Sequence, residues 1–230
     1  MGQNIVSMPK CIGVIMDGNR RWAKKQSLPT LEGHRRGYAK LKEFMTWAKA
    51  EKVEAVIAFA LSTENWKRTK EEVGYLMDLF RFALSNEIDS LVREKTRLLF
   101  IGDKETFPED IQKMMQNAEE DTKANLGTIL AIAVSYGGRE EIVEAVRKTS
   151  VRDGDEITQE SFSKSLWTRD LPDPDMVIRT GGQKRLSGFL PWQTVYSELF
   201  FTDTLWPDLS KKEFGEMLRE YADRQRNFGK

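Results

Sequence analysis

The chain has 230 residues, 40% of them apolar, enough for a sizeable core in one large domain or two small ones. Its 36 basic residues balance 36 acidic ones, which argues against a surface built for nonspecific nucleic-acid binding and leaves any anion site to local clustering. A single cysteine, Cys11, and a single histidine, His34, exclude an intramolecular disulfide, a cysteine-rich metal site and a multi-histidine zinc site, and fit a reducing, cytoplasmic compartment.

In chain order, short apolar runs alternate with helical periodicity. CIGVIM (11–16), AVIAFAL (55–61), RLLFIG (97–102), TILAIAV (128–134) and MVIRT (176–180) read as strands buried on both faces, and 199–202 as a sixth. Tyr38, Leu41, Phe44, Met45 and Ala48 keep helical spacing. So do Val73, Leu76, Met77, Phe80 and Leu84, continuing to Ile88 and Leu91, which predicts one helix over 71–95. Further helices are expected after Pro108, over 139–148, and around Phe214, Met217, Leu218 and Tyr221. Strand alternating with helix predicts an α/β fold with a central, mostly parallel sheet flanked by helices. No linker interrupts it, so residues 1–230 read as a single domain. The start, MGQNIVSMPK, lacks a signal-peptide core, and the longest apolar run falls far short of the roughly 18 residues that span a bilayer.

Ligands of such sheets bind beyond the carboxyl ends of the strands. After the first run comes Asp17-Gly18-Asn19-Arg20-Arg21-Trp22. The glycine and asparagine suit a tight turn, and two arginines favour phosphate. An aspartate there would repel phosphate unless a divalent cation such as magnesium bridges them; an ordinary helix cap is the competing reading. After the second run, Ser62-Thr63-Glu64-Asn65-Trp66-Lys67-Arg68 reads either as a capped helix start or as a polar turn that positions an anion. After the fifth, Arg179-Thr180-Gly181-Gly182-Gln183-Lys184-Arg185-Leu186-Ser187-Gly188 suits a second phosphate pocket, or is a flexible basic loop. Glu198 is a candidate second metal carboxylate, or a polar residue flanking a strand. Neither GxxxxGK[ST] nor GxGxxG occurs. Two anion sites with two carboxylates suggest an enzyme joining two phosphorylated molecules.

MDGNRRWA, GHRRG (33–37), STENWKR (62–68), SYGGRE (135–140), IRTGG (178–182), RLSGF (185–189) and ELFFTDTLWPD (198–208) together resemble the cis-prenyltransferases, or isoprenyl transferases, and among them most the bacterial undecaprenyl diphosphate synthases. The likeness runs in order over residues 9–229. It implies a magnesium-dependent enzyme that adds isopentenyl diphosphate to an allylic diphosphate, usually farnesyl diphosphate, with cis geometry. It further implies a hydrophobic tunnel for the growing chain, a homodimer, and transient contact with the inner membrane on product release. By the same resemblance, Asp17 handles magnesium and helps the allylic diphosphate depart, and Glu198 is the second metal carboxylate. Gly18, Asn19, Arg20, Arg21 and His34 cradle the allylic diphosphate. Trp22 and Trp66 contact substrate, and Ser62, Thr63 and Glu64 form the substrate-binding turn. Asn65 matches a catalytic position designated as proton acceptor, but neutral asparagine is a poor base and a positioning role fits it better. Arg68, Arg179, Arg185, Leu186 and Ser187 match the site of isopentenyl diphosphate.

The chain departs from the family pattern at Cys11, Thr30, Gln183, Gly188, Pro191 and Asn227. Thr30 stands where an arginine often meets the allylic diphosphate; Arg35 or Arg36, next to His34, could replace that charge. Phe80, Phe82, Leu84 and Ile132 are candidate tunnel residues. A noncatalytic partner subunit, which would lack the aspartate motif, and a same-fold enzyme making a short or branched prenyl diphosphate are the competing functions.

Overall fold

The computed structural model describes residues 8–150 and 157–224; Asn227 lies outside them. Six strands form one sheet: β1 Cys11–Ile15, β2 Ala55–Phe59, β3 Arg97–Ile101, β4 Ile129–Ala133, β5 Met176–Arg179 and β6 Glu198–Phe201. The order is β3-β4-β2-β1-β5-β6, and every pairing is parallel. The mostly parallel expectation is therefore met in full.

The side-chain period of two divides each strand between two cores. Ile12, Val14, Val56, Ala58, Leu130, Ile132, Met176 and Ile178 face one cluster, while Cys11, Ile15, Ala55, Ile57, Ala131, Ala133 and Val177 face the other. Cys11 is fully buried and its thiol donates to the Pro172 carbonyl at 3.4 Å. The first face is covered by α2 (Thr30–Ala50), α3 (Lys70–Asn86), α4 (Ile88–Arg93), α5 (Glu109–Thr122) and α8 (Lys211–Asp223). The stripe Phe214, Met217, Leu218 and Tyr221 is buried there as expected, with Phe214 tilted against Phe44 at 4.8 Å between ring centres. Tyr136, Phe189 and Leu190 cover the second face, and α6 (Gly138–Ser150) and α7 (Gln159–Ser163) pack together beside it.

The single helix expected over 71–95 is two. It breaks at Glu87, whose backbone (φ −106°, ψ −15°) ends α3 and begins α4. Asn86 turns its side-chain amide onto the Phe82 carbonyl at 2.7 Å, a local bond of the kind that bends helices. The outer edge of β3 is closed by α5: Thr122 accepts from the Leu98 amide (3.0 Å) and Glu119 from the Phe100 amide (2.7 Å), which satisfies ladder groups that would otherwise invite another chain.

Candidate active site

At the carboxyl ends of β1, β2 and β5, a polar cleft of about 730 Å³ is lined by Asp17, Gly18, Asn19, Arg20, Arg21, Lys24, Thr30, His34, Ser62, Asn65, Arg68, Arg179 and Ser187. It brings together most of the residues the motifs singled out. α1 (Asn19–Lys25) begins one residue after Gly18, which sits at φ 117°, a conformation open to glycine. The Asp17 backbone is fixed from two sides: its carbonyl accepts from the Thr180 hydroxyl at 2.7 Å and from the Trp206 amide at 3.0 Å. Its carboxylate is shared. Oδ1 accepts from Arg21 Nη2 (3.0 Å) and Oδ2 from Arg179 Nη2 (2.9 Å).

Arg179 ends β5 almost fully buried, and its Nη1 donates to the Ser187 hydroxyl (2.8 Å) and to the Arg185 carbonyl (2.5 Å). One guanidinium thus ties the β1 loop to the 180–188 loop. Gly181, at φ 81°, lets Arg21 pass: a Cβ there would sit 2.4 Å from Arg21 Nη2. Arg185 itself turns onto Gln183 at 2.5 Å and Leu186 packs against the second core; neither lines the cleft.

A residue absent from the motif reading organises the other wall. Glu72, buried in the first turn of α3, accepts from Arg68 Nη1 at 2.8 Å, bonds His34 Nε2 at 3.2 Å and lies 3.8 Å from Arg20 Nε. Burial pushes the His34 imidazole below its ordinary value, and the bond to Glu72 offsets this in part. His34 is therefore neutral at pH 7. Only the helical periodicity around Glu72 is visible in sequence, and periodicity does not mark a carboxylate whose partners come from α1 and α2. Lys24, which the motifs do not single out, also lines the cleft.

Asn65 accepts from the Ser62 amide through Oδ1 at 3.1 Å. That leaves its side-chain N–H group for the cleft, a donor rather than a base, in line with a positioning role. Thr63, Glu64, Trp22 and Trp66 are not on the cleft wall. Hydrogen bonds, the Ser62 side chain's first, hold the Glu64 carboxyl below its ordinary value. Trp22 donates to Asp208 at 2.7 Å and Trp66 to the Ser135 hydroxyl at 2.9 Å, so both indoles brace loops around the site.

Glu198 does not meet Asp17 within one chain. Ile12 pairs with Met176 and Met176 with Glu198, so Glu198 opens β6 at the amino edge of the sheet. Asp17 lies five residues beyond Ile12, roughly 16 Å away along the strands. Glu198 instead accepts from Arg224 Nη1 at 2.5 Å. The expected pair of metal carboxylates is thus separated by strand direction, which a motif does not carry. Among the described residues no cluster of three or more His, Cys, Asp or Glu side chains forms a protein-only metal cage. One carboxylate amid anion-binding cations still fits magnesium, which commonly takes one or two carboxylates and completes its shell with substrate phosphates and water.

The cleft opens into an apolar tunnel of about 250 Å³ between α2 and α3–α4, over the first face of the sheet. Met16, Asn19, His34, Ala60 and Leu76 belong to the walls of both. Phe80, Leu84 and Ile132 line the tunnel as expected; Phe82 is 55% exposed and does not.

A parallel sheet carrying a cationic cleft at its carboxyl edge and an apolar channel behind it is the architecture of an enzyme acting on amphiphilic phosphates. The family described as "Putative undecaprenyl diphosphate synthase" matches residues 15–229, and the chain belongs to it. It is 45% identical over 226 residues to an isoprenyl transferase of Thermotoga maritima, covering 96% of this chain and 97% of that one. It is 44% identical over 228 residues to a ditrans,polycis-undecaprenyl-diphosphate synthase ((2E,6E)-farnesyl-diphosphate specific) of Legionella pneumophila, covering 96% of each. The structure superposes on lavandulyl diphosphate synthase from Lavandula x intermedia, solved with dimethylallyl diphosphate, with a TM-score of 0.93 and 35% identity over 97% of this chain and 99% of that one. The protein is a transferase of prenyl groups.

Proposed function

We propose that this chain is a magnesium-dependent cis-prenyltransferase that condenses isopentenyl diphosphate with an allylic diphosphate, farnesyl diphosphate first among them, to build a polyprenyl diphosphate such as undecaprenyl diphosphate. The observation that carries the reading is the shared wall: a cleft rich in arginine runs directly into an apolar tunnel through Met16, Asn19, His34, Ala60 and Leu76. A substrate with a diphosphate head and a prenyl tail fits both at once.

In this reading Arg20, Arg21, Lys24, His34 and the Gly18–Asn19 turn hold the allylic diphosphate, with its tail entering past Ala60 and Leu76. Arg179 and Ser187 hold isopentenyl diphosphate beside it, Arg185 reaches it only by leaving Gln183, and Arg68 and Asn65 close the wall between. The cations stabilise the diphosphate that departs with the bonding electron pair as the allylic carbon is attacked by the isopentenyl double bond; the tertiary cation this leaves loses a proton from the adjacent methylene to the released diphosphate, which forms the new double bond. Asp17 and substrate oxygens would hold the magnesium ion, which supplies further charge neutralisation to that leaving group. The homodimer, a cytoplasmic location and transient contact with the inner membrane belong to the same proposal. No helix among the described residues is long and apolar enough to cross a membrane.

The likeness to lavandulyl diphosphate synthase favours one second reading, a short or branched prenyl product. One experiment decides both. The protein is incubated with labelled isopentenyl diphosphate, magnesium and, separately, dimethylallyl, geranyl and farnesyl diphosphate, and the products are sized. A ladder of long products supports the first reading and a branched ten-carbon product the second. No condensation with any primer overturns both.

A further inference from the structure

The tunnel is apolar except along one seam. Apart from His34 at its mouth, the charged side chains in its lining are Lys42 and Lys49 of α2, Glu87 at the α3–α4 break and Glu94 just after α4. They pair with one another. Lys42 Nζ lies 2.9 Å from Glu87 Oε1 and 2.8 Å from Oε2, and Lys49 pairs with Glu94, which also accepts from the Ser90 hydroxyl at 3.2 Å. Each partner is seven residues from its counterpart on the same side, so the two pairs are spaced about 10 Å along α2. His34 marks the mouth and Lys49 the far end, a run of roughly 22 Å along that helix.

Two further features set this seam apart. The helix facing α2 breaks at Glu87, so the lower wall is α4, a helix of six residues hinged apart from α3. Polar groups border the same pairs: the Tyr38 hydroxyl on α2 faces Glu87, and the Thr96 hydroxyl just past α4 is buried without a partner. A prenyl chain offers nothing to either hydroxyl or to the ion pairs. To pass them it must strip water from half-exposed charges or push α4 away from α2 and part both pairs.

We propose that the Lys42–Glu87 and Lys49–Glu94 pairs form a clasp between α2 and α4 that limits how far the prenyl chain grows. The inference rests on the prenyl-elongation reading above and names the residues that set product length in this chain. Growth proceeds freely down the apolar upper tunnel past Leu76, Phe80 and Leu84. It slows where the tip of the chain meets the clasp, and the ratio of further condensation to release falls there. Diphosphate binding is untouched, because none of the four residues lines the cleft.

The test compares product ladders made from farnesyl diphosphate, labelled isopentenyl diphosphate and magnesium. In Glu87→Leu/Glu94→Leu the carboxylates are gone and the lysines swing into water on their long stems. The modal product should lengthen by at least one five-carbon unit, while the KM values and the first-condensation rate stay within about twofold. Exchanging the charges at all four positions (Lys42→Glu, Lys49→Glu, Glu87→Lys, Glu94→Lys) rebuilds both pairs and should restore the original ladder. An unchanged ladder in a folded Glu87→Leu/Glu94→Leu protein overturns the clasp, as does a charge exchange that lengthens products equally. If the double variant does not fold by circular dichroism, Lys49→Gln and Glu94→Gln make the same comparison, with the same outcomes decisive. Wild-type protein that condenses nothing would instead overturn the elongation reading itself.

Discussion

Arg179 donates to Asp17 across 2.9 Å and joins the carboxyl ends of β5 and β1, the two strands that carry the isopentenyl and allylic halves of the proposed site. The pair couples catalysis to local stability. Asp17→Ala is expected to lower kcat by a factor on the order of 10³ or more, since the proposed metal loses its one protein carboxylate. The same change strands the buried Arg179 and costs stability, about 1–3 kcal/mol given that Asp17 is itself partly exposed. Thermal unfolding with and without pyrophosphate checks the coupling: added anion should recover most of the lost midpoint in Asp17→Ala and little in Arg179→Ala. Near-normal turnover of Asp17→Ala at saturating magnesium would sink the assignment.

The two basic groups should separate kinetically. Arg179→Ala should raise the KM for isopentenyl diphosphate tenfold to a hundredfold, the value of a contact worth about 1.5–3 kcal/mol. Arg185→Ala should raise it less, because that side chain rests on Gln183 outside the cleft. Arg21→Ala should act mainly on the allylic substrate. Steady-state KM values for each substrate in the three variants decide; the reverse pattern would exchange the two sites.

The strand ends are legible because parallel strands buried on both faces leave bare apolar runs: Asp17 and Ser62 each follow one, and Arg179 closes another. Glu198 was misplaced for the same reason. It precedes its run rather than follows it, and in an all-parallel sheet that puts it at the far edge. The break at Glu87 is not legible because the apolar stripe continues from Leu84 to Ile88 and Leu91; the bond from the Asn86 side chain to the Phe82 carbonyl accompanies it. Glu72 was hidden by regular helix spacing, since its partners come from α1, α2 and the turn before α3. Trp22 and Trp66 are expected from the family resemblance to contact substrate; neither lines the cleft, and their indole N–H groups hold loops beside it.

Glu72→Ala should destabilise the fold by about 1–3 kcal/mol, through lost bonds to charged partners at a buried site. It also frees Arg20, Arg68 and His34 for an anion. Pyrophosphate should therefore raise the unfolding midpoint more in Glu72→Ala than in the wild type. Equal shifts in the two proteins would show that Glu72 does not compete with the ligand for these cations.

His34 predicts a pH signature. Its folded value lies below the ordinary 6.5 because burial disfavours the imidazolium, so the unfolded chain binds the proton more readily. The stability it contributes is present above about pH 6.5 and is lost as pH falls below it. A diphosphate beside the ring favours the charged form, so binding should take up protons near neutral pH. Calorimetry of allylic diphosphate binding in two buffers of different ionisation enthalpy measures the uptake. His34→Gln should reduce it by a fraction of a proton, and the same substitution should flatten the loss of unfolding midpoint below pH 6.5. Identical uptake in both proteins would remove His34 from the allylic site.

Thr30 is the departure with the clearest structural reading. It is the first residue of α2 and lines the cleft together with Arg20, Arg21 and Lys24. The compensating bases suggested by sequence, Arg35 and Arg36, are absent from the cleft wall. Arg35 donates to Glu32 at 3.0 Å and Arg36 lies 3.6 Å from Glu43, so both are paired along α2 instead. Lys24, from the last turn of α1, is a base on the same cleft wall, and we take it to supply the charge that Thr30 lacks. Lys24→Ala should accordingly raise the KM for farnesyl diphosphate about tenfold, the loss of one charge-assisted contact. Thr30→Arg alone should gain little, since it adds a second base to a phosphate already neutralised. Thr30→Arg on the Lys24→Ala background should restore binding, which is non-additivity of the kind shown by groups sharing one partner. Arg35→Ala and Arg36→Ala should leave both KM values unchanged. A rise in either alanine variant, or a Thr30→Arg gain as large with Lys24 present as without it, would mean that Lys24 does not stand in for the missing arginine and that the allylic diphosphate is held without it.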